Sequence, residues 1–132
     1  MMKKTHAAIG IAAAISLISY FNVPYISIIG VLGATFPDAD LKFGIKHRTI
    51  THSILLLFIS SAVICCINFE IGFIWFVSYL LHLIADSCTK MGVPFLYPFV
   101  KKNYGLKLIK TGEAEDIFIF ILAVYLISVL IK

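Results

Sequence analysis

Seven side chains of metal-binding type recur at short spacings along this chain: His6, Asp38, Asp40, His47, His52, His82 and Asp86. In HLIAD, His82 and Asp86 are four residues apart, so on a helix they share one face about one turn apart. That spacing can offer an imidazole and a carboxylate to one ion, or let Asp86 orient a histidine that binds it. The plainer reading is a buried ion pair between helices. In PDAD, Asp38 and Asp40 follow a proline two residues apart, a pattern that lets one loop hold a cation; alone it reads as a solvated turn. HRTITHS sets His47 and His52 on either side of a helix start that Thr49 or Thr51 can cap. Arg48 adds a planar fork suited to phosphate or carboxylate oxygens; its plainer role is contact with anionic lipid. Mixed His and Asp donors suit zinc first, then manganese or iron, better than calcium or magnesium. One ion or two would fit the number of donors.

The elements that must position these groups are apolar. Of 132 residues, 61% are hydrophobic and 14% charged, with a mean hydropathy of +1.00. A soluble domain is nearer half apolar and a quarter charged, so the outside of this chain must be greasy too. That composition implies an all-α, polytopic integral membrane protein of one domain, residues 1–132. MMKKTHAAIGIAAAISLIS has the basic start and apolar run of a signal peptide, but His6 and the later apolar segments favour a retained helix. Cys65, Cys66 and Cys88 lie in or beside apolar runs without metal-type spacing, and read as small packing residues.

Five apolar stretches can be drawn: about Ala7 to Phe21, Tyr25 to Phe36, Thr51 to Ile67, Glu70 to Thr89, and Asp116 to the end. A hydrocarbon core of ~30 Å needs about 20 helical residues, so the first two form a hairpin of short helices. Read as one helix broken at Pro24, they would put His6 and Asp38 on opposite faces. The hairpin gathers ten of the eleven basic residues on one side, leaving only Lys132 on the other. The positive-inside rule makes that side cytoplasmic, with the N-terminus inside and the C-terminus outside. All four histidines and three of the four aspartates then lie near that face. Ionisable groups in a membrane segment are functional candidates, because burying a charge there costs ~2.5–3.5 kcal/mol or more. The basic segment KKNYGLKLIK reads either as a surface lying on the membrane or as a plain loop.

The order THAAIG, PDAD, HRTITHS, HLIADSCTKMGVPFLYPF resembles the YdjM-type family, small bacterial inner-membrane proteins regarded as membrane-bound, metal-dependent hydrolases and in some cases regulated by LexA. The likeness runs from His6 to about Pro98. It implies a metal site built from the seven residues above, with Thr51, Ser53 and Thr89 in support and Gly92, Pro94 and Pro98 shaping the loop after the fourth stretch. It also implies a glycine followed by an acid at the last helix, here Gly112 with Glu115 or Asp116. HxxxD also looks like part of the metal site of zinc phospholipase C.

Hydrolysis of a phosphoester, lipid or lipid-linked, follows as the first functional expectation. Arg48 would steady a phosphoryl oxygen, and Asp38, Asp40 or Glu115 would move a proton. A metal-stabilised subunit without catalysis is the alternative, and would show a closed coordination sphere. Ion transport needs ionisable groups deep in the membrane or on both faces. Specific nucleic-acid binding is not indicated, since membrane topology explains the net charge of +4. The expected partners are membrane lipids.

Overall fold

The computed structural model describes residues 1–41 and 49–132, with all their side chains except those of Asp40 and Leu41. All regular elements among them are helices: α1 (Lys3–Phe21), a 3₁₀ helix (Tyr25–Ala34), two short 3₁₀ turns (Phe36–Leu41 and Ile50–His52), α2 (Ile54–Ile67), α3 (Phe69–Ser87) and α4 (Ala114–Leu130). Extended chain pairs only at two isolated bridges, Thr89 with Ile109 and Val93 with Tyr104.

The first helix is longer than its apolar run suggests, since Lys3, Lys4 and Thr5 already belong to it. With 19 residues each, α1 and α3 reach about 28 Å at 1.5 Å per residue, long and apolar enough to cross a membrane. The 14 residues of α2 reach only about 21 Å. Asn22 ends α1 in the left-handed conformation at φ 52°, ψ 38°, donating its N–H to the Ile18 carbonyl. Asn tolerates that conformation well. The chain then turns back at Val23 and Pro24, which realises the hairpin.

The second apolar stretch differs from expectation, being a 3₁₀ helix rather than an α-helix. A 3₁₀ helix repeats every three residues, so Ser27, Gly30 and Gly33 fall on one line, and all three are buried. That line lies directly on α3. A Cβ on Gly30 would stand 2.6 Å from the Ile71 carbonyl oxygen, and one on Gly33 2.5 Å from that of Trp75. Neither position has room for a side chain. Pro37, just past the second apolar stretch, sits in the first turn of the next 3₁₀ segment, where its missing N–H costs nothing.

Ser53, not Thr49 or Thr51, caps α2, its hydroxyl accepting from Leu56 N–H. The difference arises because Ile50–His52 forms a separate 3₁₀ turn before the helix. A single residue, Asn68, joins α2 to α3 and caps α3 by accepting from Ile71 N–H at 2.9 Å. The 3₁₀ helix, α1 and α2 all pack on α3, and α4 packs on α1. One core cluster, Leu57, Tyr79, Leu83 and Val93, ties α2 to α3 and the loop behind it, while Ala14, Ile18 and Ile74 tie α1 to α3. Large apolar side chains cover the outside, among them Phe58, Phe118, Ile121 and Leu122. The three cysteines are free, and Cys65 packs against Gly72 where α2 meets α3.

Candidate metal centre

One end of α3 carries the chemistry. His82 and Asp86 both point inward and are buried. His82 is fixed first, because its Nδ1–H donates to the Ala34 carbonyl at 2.7 Å. Ala34 ends the 3₁₀ helix, where the last carbonyls have no partner within the helix. Gly33 lets that carbonyl come close to α3. The same bond sets the tautomer, so the Nε2 of a neutral His82 carries the lone pair that a metal needs.

Three other elements bring donors to that nitrogen. His52, from the 3₁₀ turn before α2, places its Nε2 3.4 Å from His82 Nε2 and 3.6 Å from Asp86 Oδ2. Asp38 Oδ1 lies 3.9 Å from each imidazole Nε2, and His82 Nε2 lies 3.9 Å from Asp86 Oδ2. Donors at about 2.0–2.1 Å from a tetrahedral ion stand about 3.3 Å apart, so the two imidazoles with either carboxylate are spaced slightly wider than a bound ion requires. His6, from the first turn of α1, stacks on His82 with ring centroids 3.8 Å apart. Its Nε2 is 3.1 Å from Asp86 Oδ1, which leaves Nδ1 buried without a partner. No side chain of the five is more than 8% exposed. Two overlapping donor sets result, His6, His82 and Asp86 beside Asp38, His52 and His82. The donor chemistry, the fixed tautomer and the orphaned nitrogen fit a transition metal ion.

Of the seven expected ligands, then, the structure brings together His6, Asp38, His52, His82 and Asp86. His47, Arg48 and the side chain of Asp40 lie outside the described residues. The two acids expected near Gly112 separate cleanly. Glu115 is exposed, whereas Asp116 is buried and accepts from Thr5 Oγ1 at 2.8 Å, Met2 N–H at 2.9 Å and Gly112 N–H at 2.9 Å. Asp116 therefore pins the start of α1, and with it His6, to the start of α4.

The family described as YdjM inner membrane protein matches residues 1–132. This chain belongs to the YdjM inner membrane protein family. It is 32% identical over 119 residues to the inner membrane protein YbcI of Escherichia coli strain K12, a match covering 76% of this chain and 69% of that one. No solved structure matches. Membership in the YdjM family makes this a protein of the inner membrane, in keeping with the membrane protein that its composition implied.

Sequence reasoning missed three contributors to this YdjM-family site. The Ala34 carbonyl has no signature, because every residue carries one. Thr5 stands beside His6 in KKTHA, and its hydroxyl was a signal available to be read. The Met1 ammonium lies 2.7 Å from Asp86 Oδ1, a contact that no residue type encodes. Thr51 and Thr89, expected in support, do stand there: Thr51 Oγ1 is 3.1 Å from His52 Nδ1, and Thr89 Oγ1 donates to the Asp86 carbonyl at 2.7 Å.

Proposed function

We propose that the chain is a polytopic membrane protein holding one divalent transition metal ion, zinc by preference, at the cytoplasmic end of its helices, and that it hydrolyses a phosphoester of lipid or lipid-linked type there. The observation that supports this most directly is the approach of Asp38 Oδ1 and of Asp86 Oδ2 to the paired Nε2 atoms of His52 and His82, all of them buried. An ion held there supplies Lewis acidity toward a phosphoryl oxygen and toward water. The protein's own residues supply the rest. Ala34 and Thr51 orient the two imidazoles, His6 holds Asp86, and Asp116 holds the strand of chain that carries His6. Asp38, whose Oδ1 lies 3.9 Å from both imidazole Nε2 atoms, is the carboxylate assigned to accept a proton from water. His82 carries the lone pair on Nε2 alone, which favours one ion over two. The cytoplasmic orientation rests on the lysine distribution.

The near-complete burial of the donors favours a second reading, a closed site that stabilises the fold without catalysis. The two separate in one experiment. Zinc-loaded protein in lipid nanodiscs is given phosphatidic acid and a lipid-linked pyrophosphate, and released phosphate is measured for wild type and Asp38→Asn. Turnover lost in the variant supports hydrolysis. Full zinc loading without turnover on any phosphoester leaves the structural site.

A further inference from the structure

The loop between α3 and α4 carries more exposed apolar surface than a water-facing loop should. Phe99 is 83% exposed, Leu108 69%, Leu106 67% and Met91 63%. Single exposed apolar residues are ordinary, but a cluster of them marks a surface that meets something apolar. Between them stand Lys90, Lys101, Lys102, Lys107 and Lys110, all exposed. Residues 88–113 contain a single acid, Glu113, which pairs with Lys110 at 2.9 Å.

This surface is held in place. Leu106 N–H donates to the Ser87 carbonyl at 2.8 Å, and Leu108 and Ile109 N–H both donate to Cys88 at 3.0 Å. Val93 and Tyr104 exchange two backbone hydrogen bonds, at 2.8 and 2.9 Å. Gly92, at φ +66°, permits the close approach, since a Cβ there would stand 2.6 Å from the Tyr104 carbonyl oxygen. Val93 is fully buried and Phe95 packs on the same core as Leu57 and Tyr79. One side of the loop is thus bound to the core, and the other presents apolar side chains with lysines between them.

We propose that this outer side lies in the headgroup layer of an anionic bilayer, with Phe99, Leu106 and Leu108 at the acyl boundary and the lysines on lipid phosphates. Lysine stems run along apolar surface while their ammonium groups reach outward to the polar layer. Lysines near an anionic surface are held there by its negative potential, so the charge selects anionic over zwitterionic lipid while the apolar residues set the depth. Tyr104, half exposed beside the Lys102 ammonium at 5.9 Å, is of the type that settles at membrane interfaces. The inference needs the chain to be in a membrane; it needs neither a metal ion nor hydrolysis.

The test introduces Phe99→Trp or Leu108→Trp and subtracts the Trp75 signal of the parent protein. Nanodiscs contain phosphatidylcholine alone or with phosphatidylglycerol, and bromine is carried on the acyl chains of one lipid at a time. The new tryptophan is expected to be quenched at least about twofold more by brominated phosphatidylglycerol than by brominated phosphatidylcholine at equal mole fraction. Replacing Lys101, Lys102, Lys107 and Lys110 together with Gln is expected to abolish that preference. If that variant does not fold, the single tryptophan variants still decide the matter. Quenching by aqueous acrylamide with no response to brominated lipid overturns the proposal. Equal quenching by the two lipids overturns its anionic selectivity.

Discussion

The two ends of the helices use polar residues differently. At the far end, Asn22 closes α1 and Asn68 caps α3, and Glu70 sits in the first turn of α3, where a carboxylate meets the positive end of the helix dipole. Each of these serves the backbone of its own neighbourhood. At the near end, His6, Asp38, His52, His82 and Asp86 come from four separate elements and face one another. Both ends interrupt apolar runs with polar residues. Convergence from distant parts of the chain, rather than polarity, distinguishes a site from a helix terminus.

Substitutions at the two ends should therefore differ in kind. His82→Ala removes the residue that touches every other donor and breaks a buried ion network, a change that costs about 3–5 kcal/mol. The expected outcome is a large drop in Tm of the detergent-solubilised protein together with loss of bound metal. Gly33→Val forces the 3₁₀ helix away from Trp75 and carries the Ala34 carbonyl off His82. Overpacking there costs about 1–3 kcal/mol, and zinc affinity measured by competition with a chelator should fall about 10–100-fold. Asp116→Asn keeps an oxygen on the Met2 and Gly112 N–H groups and turns its amide N–H toward Thr5 Oγ1, so it loses only the charge on those bonds, at a cost of about 1 kcal/mol; metal is retained with slightly weaker affinity. At the far end, Asn68→Ala removes a helix cap worth about 1 kcal/mol, and the Tm should drop slightly with metal content unchanged. Metal lost in Asn68→Ala would break the comparison.

The near end was largely legible because its residue types are expensive in an apolar chain and their spacing is short. His82 and Asp86 were readable as one helical face, and the hairpin followed from the lysines. Other features depended on packing that no single residue announces. An apolar run such as YISIIGVLGA reads as an α-helix, and only the three-residue repeat of Ser27, Gly30 and Gly33 betrays the 3₁₀ form. Glu115 and Asp116 are neighbours of the same chemistry, and only packing tells them apart: Asp116 is buried where Thr5 and Gly112 meet it, while Glu115 is exposed. Ser53 caps α2 in place of Thr49 and Thr51 because the 3₁₀ turn at Ile50–His52 moves the helix start past both threonines, and composition does not show that turn. The expectation of a short first helix failed since Lys3 and Lys4 look like a flank but belong to the helix.

The most direct measurement is the metal content of purified wild-type protein beside His52→Ala, His82→Ala and Asn68→Ala, by elemental mass spectrometry. A shared site at the near end gives about one transition metal ion per chain in wild type and in Asn68→Ala, as expected of a four-donor structural or catalytic centre, with the ion lost in both histidine variants. No metal in the wild type after reconstitution with zinc, manganese and iron, or equal metal in all four proteins, would contradict a metal centre formed by His52 and His82.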